Sequence, residues 1–280
     1  MHPDMAADNR IAIVISASSD IGAAMCRRWR DRGWRVFGTY RTPSPEVDAL
    51  QSAGVKLVYL DASSAESTRQ ACAKLRRLCP QWDVLVNGVG TQQPVGAFAE
   101  VGFDAWDESL RVNFTSQIQV IHELLGSRRI GGDRQPIVLL FAGGGTNSAT
   151  QNYSAYTVSK IGLIKICELL DAEIPDTRFV IVGPGWVKTK IHEATLKAGP
   201  EGAGSNYERT LAKLSGDECT PMDRALDCCD WIVDAPRAVV SGRNFSVAFD
   251  PWGKDALAEK LSQTPDMYKL RRLGNDWTPD

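Results

Sequence analysis

Histidine is scarce in this chain: three of 280 residues, His2, His122 and His192. His2 lies near the N-terminus and His122 falls in an apolar helical pattern, which leaves too few imidazoles for a zinc site or a Ser-His-Asp triad. An excess of either charge is missing too. The 32 Lys and Arg against 34 Asp and Glu leave a net charge of −2, no basis for gripping nucleic acid or an anionic membrane. No apolar run approaches the roughly 20 residues of a membrane span. Residues 1–10 lack the apolar centre of a signal peptide; they read as a disordered lead-in, and the protein as cytoplasmic. The seven cysteines are scattered without a Cys-x-x-Cys pair, the pattern of buried thiols in a reducing compartment. If the chain is an enzyme, its chemistry is expected to need neither metal nor histidine.

What is present is an ordered alternation. Hydrophobic content of 43% and charged content of 24% suit a sizeable core. Short apolar, β-branched runs at Ile11–Ile15, Trp34–Tyr40, Lys56–Leu60, Asp83–Asn87, Gln135–Phe141 and Arg178–Val182 read as strands, with a last one at Asn244–Phe249. Helical patterns separate them, including one region over 103–125 and a long helix ending near Ala172. Strand alternating with helix, without a composition break, predicts an α/β fold. It is a single-domain, Rossmann-type doubly wound parallel sheet with helices on both faces. The expected division is 1–10 lead-in, 11–250 catalytic domain and 251–280 C-terminal tail, with 190–220 as a mobile loop with short helices, a lid over a site. The tail offers no readable chemistry.

Tyr156 and Lys160 stand four residues apart at the head of the long helix and so share one face. A free phenol has a pKa near 10 and is a poor acid-base group at neutral pH; a fixed ammonium nearby favours the phenolate. Alone, the spacing is more often a surface contact. Its company changes that: the turn Ser16–Gly22, Arg41, Asp61, Asn87-Gly88-Val89-Gly90, Asn113, the glycine run after Phe141, and Pro184-Gly185. In order and spacing, over about residues 10–250, these resemble the short-chain dehydrogenase/reductase family.

The resemblance implies an NAD(P)-dependent oxidoreductase, with hydride transfer between nicotinamide and a carbonyl or alcohol. It makes Tyr156 the acid/base, Lys160 its activator and ribose ligand, and Asn113 the holder of a water that relays the proton onward. Ile15–Gly22 matches the family's Thr-Gly-x-x-x-Gly-x-Gly turn, which would receive the cofactor pyrophosphate through Ser16, Ser18, Ser19, Asp20, Ile21 and Gly22. Ser16 and Asp20 replace its first two glycines; Asp20 is expected to turn inward to the helix start, away from the phosphates, the alternative being a decayed cofactor site. Tyr40 fills the place of the NAD-type acid and Arg41 follows it, which favours NADP over NAD unless Arg41 is merely solvated. By the same resemblance Asp61 and Ala62 meet the adenine, and Asn87, Gly88, Val89 and Gly90 steady the central strand and line the ribose. Pro184, Gly185, Val187 and Thr189 hold the carboxamide.

One departure stands out: the family's catalytic Ser falls on Gly143. Thr146, Asn147, Ser148 or a backbone N–H of the glycine run are possible substitutes, and Thr146 is preferred. The run from Phe141 to Tyr156 also looks like a branch tied to bacterial surface-polysaccharide and sugar-nucleotide pathways, which points to a sugar or sugar-derived substrate. The missing Ser and two missing glycines keep open a catalytically silent dinucleotide-binding protein acting as a sensor or structural partner. A dehydratase or epimerase using the same cofactor is a third reading. The helices around 118–125 and 158–170 carry surplus apolar residues, and the family pairs them across a two-fold axis, so a homodimer or homotetramer is expected.

Overall fold

The strand-forming runs assemble into one sheet of seven parallel strands, in the order β3-β2-β1-β4-β5-β6-β7, in a computed structural model that describes residues 9–274. The strands are β1 (Ile11–Ile15), β2 (Arg35–Tyr40), β3 (Lys56–Tyr59), β4 (Val84–Asn87), β5 (Ile137–Phe141), β6 (Arg178–Gly183) and β7 (Arg243–Ser246). Helices α1 (Asp20–Asp31), α2 (Pro45–Ser52) and α3 (Ala65–Leu78) join the first four strands. Then come α4 (Phe103–Leu110), α5 (Ser116–Leu124) and α6 (Ser154–Glu173). After β6 follow α7 (Glu193–Ala203), α8 (Ser205–Ser215), α9 (Met222–Asp234) and α10 (Arg237–Val240), and after β7, α11 (Asp255–Gln263).

Every residue of β1, β4 and β5 is buried, as a sheet covered on both faces requires. Alternation along β1 sends Ala12 and Val14 into one core, with Trp29, Trp34, Ile232 and Phe245. Ile11, Ile13 and Ile15 enter the other, with Leu75, Leu124, Leu163 and Phe179. Ser19, Ser44 and Ser64 cap α1, α2 and α3 by accepting the backbone N–H of the third helical residue. The strand order reverses between β1 and β4, where crevices form at the carboxyl ends.

The helical region expected over 103–125 is found, with a π-helical turn at Arg111–Thr115 between α4 and α5. Residues 190–220 carry two helices of 11 residues each, with a kink at Gly199 (φ 68°). The last strand stops at Ser246 rather than Phe249, because the Asp250 carboxylate accepts the Ser246 N–H at 2.7 Å and turns the chain, leaving Phe249 90% exposed. The tail, unreadable in sequence, packs into the core through Leu257 and Leu261. The buried Arg243 guanidinium donates to the carbonyls of Leu261, Thr264 and Met267 and binds it there. Of the lead-in, residues 1–8 lie outside the described residues. Among those described, no helix is long and apolar enough to cross a membrane.

Candidate active site

The carboxyl ends of the strands open onto a continuous cavity of about 1830 Å³. Its wall includes Ser16, Ser18, Ser19, Asp20, Ile21 and Gly22 from the β1–α1 turn, Tyr40 and Arg41 after β2, and Asp61 and Ala62 after β3. Gly88, Val89 and Gly90 follow β4; Tyr156 and Lys160 come from α6; Pro184, Gly185, Val187 and Thr189 follow β6. Two expected members are absent from the wall. Asn87 is fully buried and donates through Nδ2 to the Gln117 carbonyl at 3.2 Å, tying the central strand β4 to α5. Asn113, also fully buried, accepts the Thr91 N–H at 2.9 Å and donates to Thr91 O at 2.9 Å and Ser109 Oγ at 3.1 Å.

The β1–α1 turn is tightly built. Ser16 adopts φ 65°, a conformation in which glycine would carry no strain. A Cβ on Gly22 would fall 2.4 Å from Ser16 O, so only glycine fits there. The expected inward turn of Asp20 is not found: Ser19 already caps α1, and Asp20 Oδ2 accepts the backbone N–H of Lys190 at 2.8 Å. The N–H groups of Asp20 and Ile21 have no acceptor among the described residues. Free N–H groups at a helix start beside a long cavity fit a dinucleotide pyrophosphate; the Asp20 carboxylate is the discordant group. Arg41 is exposed and has no ion-pair partner among the described residues. Asp61 is held by Ser63, whose N–H and hydroxyl donate to Oδ1 at 3.0 and 2.9 Å.

Tyr156 is half-buried and Lys160 only 2% exposed. Lys160 Nζ donates to Phe141 O at 3.1 Å and Val89 O at 3.4 Å and lies 5.7 Å from the Tyr156 ring centroid. Burial dominates both groups, pushing Tyr156 up to about 12 and Lys160 down to about 8. Behind them Gln117, fully buried, donates through Nε2 to Asn113 O at 2.7 Å and Val89 O at 3.0 Å, sharing the second carbonyl with Lys160. Sequence reasoning missed Gln117; its only signal is an amide four residues after Asn113 on an apolar helix.

Gly143 lies against the Tyr156 ring. A Cβ there would fall 2.8 Å from Tyr156 Cε1 and OH and 2.9 Å from Lys160 Cγ. Thr146, Asn147 and Ser148 line the cavity beyond it, while a Cβ on Gly144 would meet nothing within 4 Å. The far wall comes from α7 and the loops that pin it. Thr195 donates to Gln92 Oε1 at 3.0 Å, so the buried Tyr153 hydroxyl, 2.7 Å from Thr195 Oγ1, is the donor in that contact. Asn152 Nδ2 donates to Gly202 O at 2.9 Å. His192, also missed in sequence, stacks on Trp186 at 3.9 Å and is held by Val187 O at 3.1 Å; burial lowers its pKa.

The model of the short chain dehydrogenase family matches residues 10–198. The chain belongs to that family of oxidoreductases. It is 26% identical over 253 residues to the human mitochondrial dehydrogenase/reductase SDR family member 2, covering 86% of this chain and 85% of the relative. It is also 26% identical over 240 residues to an acetoacetyl-CoA reductase of Rhizobium meliloti, covering 85% and 96%. In structure it resembles a variant of the actinorhodin polyketide ketoreductase solved with NADPH, with a TM-score of 0.72 at 22% identity, over 86% of this chain and 97% of the other. The likeness to that structure is one of fold.

Proposed function

We propose that this protein is a cytoplasmic NADP(H)-dependent reductase or dehydrogenase acting on a carbonyl/alcohol pair, with Tyr156 as its acid/base. The carrying observation is that Tyr156 and Lys160 share one cavity with Arg41, the open start of α1 and the Pro184–Thr189 segment. Arg41 suits a 2′-phosphate, which favours NADP over NAD. The bound cofactor supplies the hydride. The chain supplies a phenol that burial keeps protonated, the state an acid needs to hand a proton to a carbonyl oxygen. Lys160, buried on two carbonyls, is the charge that would balance a phenolate left behind. Thr146 is assigned as donor to the substrate oxygen in place of a Ser at position 143.

A wall of Gln92, Thr146, Asn147, Ser148 and Asn206 offers hydroxyls and amides in number, which supports a polyhydroxy substrate such as a sugar or sugar nucleotide. Residues 190–220 act as its lid. Six of the seven cysteines are buried free thiols, which supports a reducing compartment. A homo-oligomer is supported by the outward apolar stripe of α6.

Titration with NADPH and NADH, followed by tryptophan fluorescence, tests the reading. NADPH is expected to bind at least about 10-fold more tightly, and Arg41→Ala to erase the preference. Failure of either dinucleotide to bind at millimolar concentration would refute it. Tyr156→Phe should keep NADPH affinity and lose at least about 100-fold in turnover against a panel of carbonyl compounds.

A further inference from the structure

Asp20 is the first residue of α1, yet its carboxylate does no capping. That task falls to Ser19, whose hydroxyl accepts from Gly22 N at 3.2 Å and donates to Ser16 O at 2.7 Å. Asp20 Oδ2 reaches instead to the backbone N–H of Lys190, 170 residues later in the chain. Lys190 opens the short 3-10 turn Lys190–His192 that leads into α7. Its N–H has no other acceptor among the described residues. A carboxylate rooted in the nucleotide-binding turn therefore holds the first turn of the lid.

The same carboxylate stands beside the two unpaired N–H groups of Asp20 and Ile21. An anion drawn to those donors by the start of α1 would meet the like charge of the same residue's carboxylate, at an exposed contact where the repulsion is open to screening by salt. The two events oppose each other: a pyrophosphate at the start of α1 would act against the charge that makes the Asp20–Lys190 contact.

We propose that Asp20 is a latch, tying the lid down through Lys190 while the dinucleotide site is empty and weakening dinucleotide binding, so that cofactor loading and lid release are coupled. By reciprocity, whatever the contact costs the cofactor, the cofactor costs the contact. This rests on the reading that the cavity holds a nicotinamide dinucleotide. It differs from a decayed site, in which Asp20 would be incidental.

The test uses the full chain as wild type, Asp20→Asn and Asp20→Gly. Asn keeps a carbonyl that can accept the Lys190 N–H but loses the charge; Gly loses both. Fluorescence titration with NADPH at low salt should show both variants binding about 5- to 10-fold more tightly than wild type, the gap narrowing in high salt. Without dinucleotide, trypsin should cut Asp20→Gly at the exposed Lys188 and Lys190 several-fold faster than wild type, and Asp20→Asn at close to the wild-type rate. Equal affinities, or weaker binding by Asp20→Asn, would overturn the repulsion. An unchanged tryptic rate in Asp20→Gly would overturn the tether. Binding by the variants but not by wild type is the same antagonism at its limit, whereas no binding by any of the three sinks the dinucleotide reading and the latch together.

Discussion

Gly143 is where a residue that looks replaceable is held by its neighbours. Restoring the family's Ser there would set a Cβ 2.8 Å from the Tyr156 ring and 2.9 Å from Lys160 Cγ. Overpacking of this kind costs about 1–3 kcal/mol, and here the group that must move is the phenol itself. Gly143→Ser is therefore expected to lower the urea midpoint and to reduce turnover; a variant faster than wild type with unchanged stability would contradict the packing argument. Lys160 carries a second prediction. Its pKa falls from the ordinary 10.5 to about 8 through burial. A depressed folded-state pKa gives stability that is present above the unfolded value and lost as pH drops toward the folded one. Relative to Lys160→Met, the wild type should thus lose about 3 kcal/mol between pH 10.5 and 8 and little more below. Denaturant melts of both proteins across that window check the slope, and parallel curves would refute it. The Tyr156–Lys160 pair was legible from sequence because four-residue spacing sets both on one helix face and the motifs around it, from Ser16–Gly22 to Pro184-Gly185, carry the family resemblance. The balance of their pKa values was not, since it depends on burial and on the Phe141 and Val89 carbonyls that hold Nζ.

At the scale of elements, the sheet was easy to read and the joins were not. β1, β4 and β5 are apolar throughout because both faces are covered, so composition alone located them. The π-helical turn at Arg111–Thr115 left no mark in periodicity, because its neighbours continue as ordinary helix. It is stitched by side chains: Asn113 clamps both backbone groups of Thr91, and Gln117 supplies the donor for Asn113 O and Val89 O. Gln117→Leu would leave those carbonyls short of a buried donor, at a cost of about 1–3 kcal/mol. Since Val89 O also receives Lys160, the variant should lose activity beyond its loss of stability. A thermal shift with unaltered kcat and pH profile would reduce Gln117 to a structural role. The tail was missed for a related reason: its anchor is the buried Arg243, whose guanidinium collects carbonyls from α11 and its exit. A buried arginine in a strand looks, in sequence, like an edge residue.

For the molecule as a whole, the open matter is what covers the outward side of α6. Val158 and Leu169 are 48% and 43% exposed. Eleven residues apart on a helix, they fall within about 20° of the same line. The neighbouring α4, which packs on α6, exposes Phe103 at 69%, stacked on Trp106, while Phe98, 65% exposed, meets Trp106 edge-on. The expected partner α5 is different: Val120, Ile121 and Leu124 are spent on the chain's own core, most closely against α3. Among the described residues the exposed apolar side chains on this side thus belong to α4 and α6, and they favour a two-fold pairing through those helices, where 118–125 with 158–170 was expected. An apolar stripe at this spacing, on a helix face that no described residue covers, is costly to leave in water, and a two-fold axis would bury it against itself. Sedimentation of the wild type at micromolar concentration should give a dimer or tetramer. The double variant Val158→Asp, Leu169→Asp should sediment as a smaller species with its far-UV spectrum and NADPH affinity retained, because neither side chain lines the cavity. A wild type that stays monomeric at that concentration, or a double variant that assembles undisturbed, would remove the interface from this face.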